Sequence, residues 1–178
     1  GPRSDQVWLS NFYSFFRDRA ITVDGAATVR ILGPQIVGCG TSTASAIEIR
    51  RGSSSVTIEN RPWFEHLQGY QGTDQISFIS AGEVNGYSAG GSVSSPGGAP
   101  NSSSVESVDI DWSFVMTPAT GIATHTKFFA TVGKCKQFRL GGLSTKPGLS
   151  LANLDVFVNI PAAQTPSTEG TRRCRRWS

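Results

Sequence analysis

The chain has 178 residues, 38% of them hydrophobic and 16% charged, which is enough apolar side chain for one sizeable core and too much for a disordered segment. Its formal charge of +3 is local: Arg172, Arg173, Arg175 and Arg176 fall within the last seven residues, and without those four the rest of the chain stands at −1, so the body has no basic nucleic-acid-binding face. Three widely separated cysteines exclude a disulfide framework and any closely spaced zinc site, and no apolar run is long enough to insert into a membrane.

In chain order, Gly1-Pro2 reads as the remnant of a cleaved tag, and residues 3–18 as an amphipathic segment. Within it Trp8, Leu9, Phe12, Phe15 and Phe16 recur at helical spacing behind a capping Ser or Asp, which predicts one short N-terminal helix covering the end of the domain. Trp8, Phe12, Phe15 and Phe16 are also the candidate oligomer contact, because aromatic surface at that density is costly to leave wet. Strands are predicted at 20–23, 27–32, 45–51, 55–59, 75–80, 105–117, 122–132, 135–140 and 153–161. The clearest is "VESVDIDWSFVMT", which alternates apolar and polar residues with period two. "TPATG" after it reads as a turn, making 105–132 a hairpin. Eight to nine short strands with turn residues between them predict an all-β domain over 19–163, an antiparallel β-sandwich or jelly roll. Residues 85–104, almost all Gly, Ser, Ala, Pro and Asn, read as a flexible loop, and 164–178 as a mobile basic tail.

The motifs carry little catalysis. "GYSAG" matches the turn that bears a hydrolase's serine nucleophile, but Ser88 is followed by a Gly-rich stretch rather than the helix such a turn opens. Only His66 and His125 are available as a triad base, so a non-enzymatic role is expected. Asp109 and Asp111, two apart on a strand, project from one face and are the candidate ligands for calcium, the one cofactor for which ligands can be named; six to eight oxygens would be needed. Trp63, Tyr70, Tyr87 and Ser88 are the candidate receptor- or ligand-binding residues, the aromatic ones as platforms on which a sugar would stack. Arg172, Arg173, Arg175 and Arg176 are the candidate nucleic-acid contact, through counterion release, or else a solvated chain end.

The strand and turn alternation, closing on "LANLDVFVNIPAA", resembles the surface or protruding domains of capsid proteins from small positive-strand RNA viruses, nodavirus-like and tetravirus-like, including related viruses of bees. The likeness covers the general character of Ala20 to Ala162. It implies a virion protein projecting from a shell domain, clustering as dimers or trimers, and offering loop tips to a host receptor or glycan. It also implies calcium held by Asp-x-Asp stretches, to which "DID" at Asp109 to Asp111 is similar. The terminal "RRCRRW" departs from the usual amino-terminal basic arm, and would make a second RNA contact. The alternative is a carbohydrate-binding β-sandwich module of a larger secreted protein or adhesin.

Overall fold

The computed structural model describes residues 6–24, 28–41, 44–50, 53–66, 75–82, 105–116, 126–133, 135–145 and 154–159. They form fifteen strands: β1 (Val7–Ser10), β2 (Tyr13–Phe15), β3 (Ile21–Val23), β4 (Thr28–Leu32), β5 (Gln35–Val37), β6 (Ile47–Ile49), β7 (Ser55–Glu59), β8 (Trp63–Glu65), β9 (Gln75–Ala81), β10 (Val105–Ile110), β11 (Ser113–Met116), β12 (Thr126–Val132), β13 (Cys135–Leu140), β14 (Leu143–Ser144) and β15 (Leu154–Asn159). Every third strand joins the same sheet. Sheet A runs β1-β4-β7-β10-β13, sheet B runs β2-β5-β8-β11-β14, and sheet C runs β3-β6-β9-β12-β15. The chain therefore winds through A, B and C five times, and every pairing is parallel. This is a parallel β-solenoid of five three-sided coils.

That architecture corrects the sequence-based expectation of an antiparallel β-sandwich or jelly roll. A coil that faces the core on one side and solvent on the other alternates its residues as an antiparallel strand does, so period two alone does not report strand direction. The expected hairpin is the plainest case. Val105–Ile110 and Ser113–Met116 are two strands in different sheets, separated by a corner at Asp111 and Trp112, and β12 pairs in parallel with β9 and β15 in a third sheet. The expected N-terminal helix is also overturned. Residues 7–10 and 13–15 are β1 and β2, separated by Asn11 at a φ of 52°, and the aromatic residues point to several faces instead of one. Short β-branched and aromatic runs fit a pleated surface better than a helix once neighbouring strands supply partners.

The core is built from ladders. In sheet A, Val7, Val29, Val56, Val108 and Phe138 are successive partners, and so are Leu9, Ile31, Ile58, Ile110 and Leu140. In sheet B, Ser14, Ile36, Phe64 and Val115 stack in the same way. Phe64 meets Phe78 and Phe129 of sheet C, with ring centroids 5.5 and 5.3 Å away, and all three rings are fully buried. Like sits on like because parallel strands in register place equivalent positions about 4.8 Å apart.

Strands β6 and β9 of sheet C are buried on both faces: Ile47, Glu48 and Ile49 are all enclosed, as are Ser77 to Ala81. A carboxylate in that position needs partners. Glu48 has Arg19 Nε on one oxygen and Arg50 Nε at 3.2 Å on the other, and Arg50 Nη1 reaches Asp24 at 3.2 Å. Ser45 and Ser77, on adjacent coils, share a hydrogen bond of 2.6 Å.

This packing yields three stability predictions. Ile58→Ala, at a site with no exposed surface, should lower unfolding free energy by about 3 kcal/mol in a urea titration. Arg19→Ala, which takes one of two guanidinium partners from a carboxylate that is 1% exposed, should cost about 3 kcal/mol by the same measurement. Asp109→Ala, at a partly exposed surface pair with Arg139, should cost less than about 1 kcal/mol.

Candidate functional site

Stacked corners turn the outside of the solenoid into straight rows. At the edge between sheets A and B the chain passes through Asn11, Gly33, Asn60, Asp111 and Gly141 in successive coils. Each corner is tied to its neighbour by main-chain bonds: Asn11 N–H donates to Leu32 O, Gly33 N–H to Glu59 O, Asp111 N–H to Ile58 O and Gly141 N–H to Ile110 O, all at 2.7–2.9 Å. Asn11, Gly33 and Asn60 have φ of 52°, 57° and 65°, the left-handed conformation that glycine and asparagine adopt most readily. A Cβ at Gly33 would lie 3.5 Å from Asn60 Nδ2 and 3.7 Å from Asn11 Oδ1, so the two amide side chains flank the glycine from the coils on either side.

The same edge carries an exposed indole with a fixed seat. Trp112 is 53% exposed, yet a Cβ on Gly142 of the next coil would approach its Cζ3 to 2.5 Å, so the ring lies directly against glycine backbone. The Trp112 main-chain N–H donates to Asp111 Oδ1 at 2.8 Å, and the Ser113 hydroxyl donates to the Asp111 carbonyl at 2.9 Å, which fixes the corner below the ring. At the other end of the edge, Asn11, Phe12, Tyr13, Gly33 and Gln35 line an open recess of about 230 Å³.

The outer face of sheet B is aromatic. Tyr13, Gln35, Trp63, Phe114 and Ser144 form one outward row, and Phe15, Val37, Glu65 and Met116 the next. Trp63 and Phe114 stack on each other at 4.2 Å, and Trp63 Nε1 donates to Glu65 Oε2 at 3.3 Å. In the first coil Tyr13, Phe15 and Phe16 cluster, with centroids 4.3 and 5.3 Å apart, and all three are exposed. Phe16 holds a φ of 52° at the corner where the next coil has Gly38 at 61°. A bulky side chain in that region is strained by about 1 kcal/mol or more, and such strain concentrates at functional surfaces.

The predicted residues are distributed as follows. Trp8 faces outward from sheet A, with the Arg30 guanidinium 4.9 Å from its ring, while Phe12 packs against the core; Phe15 and Phe16 join the exposed cluster. Trp63 is half-buried and gives one ring face to Phe114, which removes that face from any sugar. Asp109 pairs with Arg139 Nη1 at 2.9 Å, whereas Asp111 lies past the end of β10 and bonds its own corner, so the two carboxylates are engaged separately. Among the described residues no group of three or more His, Cys, Asp or Glu is placed to hold a metal ion. Tyr70, Tyr87, Ser88, Arg172, Arg173, Arg175 and Arg176 lie outside the described residues.

Sequence reasoning missed Tyr13, Trp112, Asn11 and Gln35. Trp112 was hidden by its place in an alternating run, where it counts as a core residue; the "DW" pair that breaks the strand is a corner only when the sheets are known. No protein-family model, curated protein or solved structure matches the chain.

The seat of Trp112 is testable by itself. Gly142→Ala should displace the indole, because the added methyl group would lie 2.5 Å from Cζ3 and 2.6 Å from Cε3 of the ring, at a φ of 151° that is itself strained for alanine. The Trp112 Nε1–H resonance should shift, with increased quenching by acrylamide, while the buried core signals stay in place.

Proposed function

We propose that this chain is a non-enzymatic interaction module, the surface-projecting part of a virion protein, which clusters with copies of itself and attaches to a host surface. The observation that carries the reading is the exposed aromatic cluster of Tyr13, Phe15 and Phe16 on the first coil, where folding alone would favour polar residues. β1, β2 and β3 are the outermost of the described strands in all three sheets, and an outer strand carries main-chain groups with which a further strand can pair. Elsewhere on the coils Glu48, Glu59 and Asp109 are each held by an arginine, which supports binding rather than acid–base work.

Clustering has a direct test in light scattering coupled to size exclusion. The chain should self-associate as concentration rises, and Phe15→Ser combined with Phe16→Gly should shift it to monomer. Because glycine relieves the left-handed strain, the double variant should unfold at the same temperature or a higher one. A wild-type chain that stays strictly monomeric at high concentration overturns the clustering half of the reading.

A further inference from the structure

We infer that the edge between sheets A and B is a binding site for a neutral, linear oligosaccharide lying along the solenoid axis. This gives a chemical class to the attachment surface proposed above and rests on that reading; it shares only Tyr13 with the self-association cluster, and neither Phe15 nor Phe16 belongs to it.

Three observations converge on it. The first is the indole of Trp112, exposed and held against the backbone of Gly142. A ring positioned before the ligand arrives loses little freedom on binding, and the C–H faces of a sugar stack on such a surface. The second is the recess at the opposite end of the edge, where the Asn11 and Gln35 amides stand beside the Tyr13 ring. Amides both donate and accept, as sugar hydroxyls require. Between the two ends lie Asn60 and Arg61, both exposed and both at positive φ, 65° and 55°. A guanidinium displayed on strained backbone adds donors to the middle of the row.

The third observation is alignment. Parallel coils repeat about every 4.8 Å, so Gln35 in the second coil and Trp112 in the fourth are about 10 Å apart along the axis, and Tyr13 in the first adds one further step. A ligand that touches both ends must be extended and run across the strands. Charge decides its class. Asp111 and the Asp109–Arg139 pair flank Trp112, and Arg61 is the single cation of the corner row, so a polyphosphate chain would meet carboxylates at the tryptophan end. The corner row itself, Asn11, Gly33, Asn60 and Asp111 leading to Trp112, also lacks the contiguous apolar centre of a protein interface. A hydroxyl-rich, uncharged chain fits both the rings and the polar groups between them.

Calorimetric titration with cellohexaose, maltohexaose and hexa-N-acetylchitohexaose, and with the corresponding disaccharides, tests this. At least one hexasaccharide should bind, and its disaccharide should bind about tenfold more weakly or worse. Trp112→Ala and Gln35→Ala should each reduce hexasaccharide affinity by about tenfold, and Trp8→Ala, on the outer face of sheet A, should leave it unchanged. The Phe15→Ser, Phe16→Gly variant should lose self-association but keep the sugar, which separates failure of this site from failure of clustering. Absence of binding by all three hexasaccharides at about 1 mM overturns the inference. So does binding that survives both Trp112→Ala and Gln35→Ala in variants with unchanged melting temperature.

Discussion

The in-register stacking of parallel strands governs this molecule. Each residue of a coil sits on the equivalent residue of the next, so an aliphatic position becomes an aliphatic column and a corner becomes a straight edge. The core therefore consists of contacts between neighbouring coils, and stability is a sum of nearest-neighbour terms. Ile31, Ile58 and Ile110, none with exposed surface, show the pattern in its simplest form. The same rule makes sheet C exacting: a buried glutamate in β6 is tolerable because Arg19 and Arg50 take both oxygens.

Surface chemistry is a product of that stacking. Trp112 owes its orientation to a glycine thirty residues further along the chain, brought beneath it by one turn of the solenoid. Trp63 and Phe114 likewise meet because β8 and β11 are neighbours in sheet B. The two surfaces that result differ in kind. The first-coil cluster is contiguous and apolar, suited to excluding water against another protein surface. The corner edge is a spaced row of rings and amides, suited to a ligand that is itself part apolar and part hydroxyl. Both lie on backbone fixed by main-chain bonds between corners, so neither depends on a mobile loop.

Strand locations were largely legible in the sequence, as "SVTIE" at 55–59 and "CKQFRL" at 135–140 illustrate, since they coincide with β7 and β13. Direction and repeat were not. The coils are unequal: Val7 to Val29 is a short step and Val56 to Val108 more than twice as long, so no fixed period appears in the residues. The candidate site was legible in part. Trp8, Phe15, Phe16 and Trp63 were recognisable as aromatic residues of interest, but not which of them would be stacked, buried or displayed.

The amino-acid sequence by itself determined that the chain is β-rich, built of short segments that pleat, and that residues 3–18 are dense in aromatic side chains. Those properties are local, set by side-chain shape and by alternation over a few residues. Tertiary structure alone decided that the strands run parallel, that residues 7–15 are strand and not helix, and that Trp112 is displayed while Trp63 is half-covered. Each of those outcomes depends on which distant segment lies one coil away, and that is a matter of long-range register that no local pattern encodes.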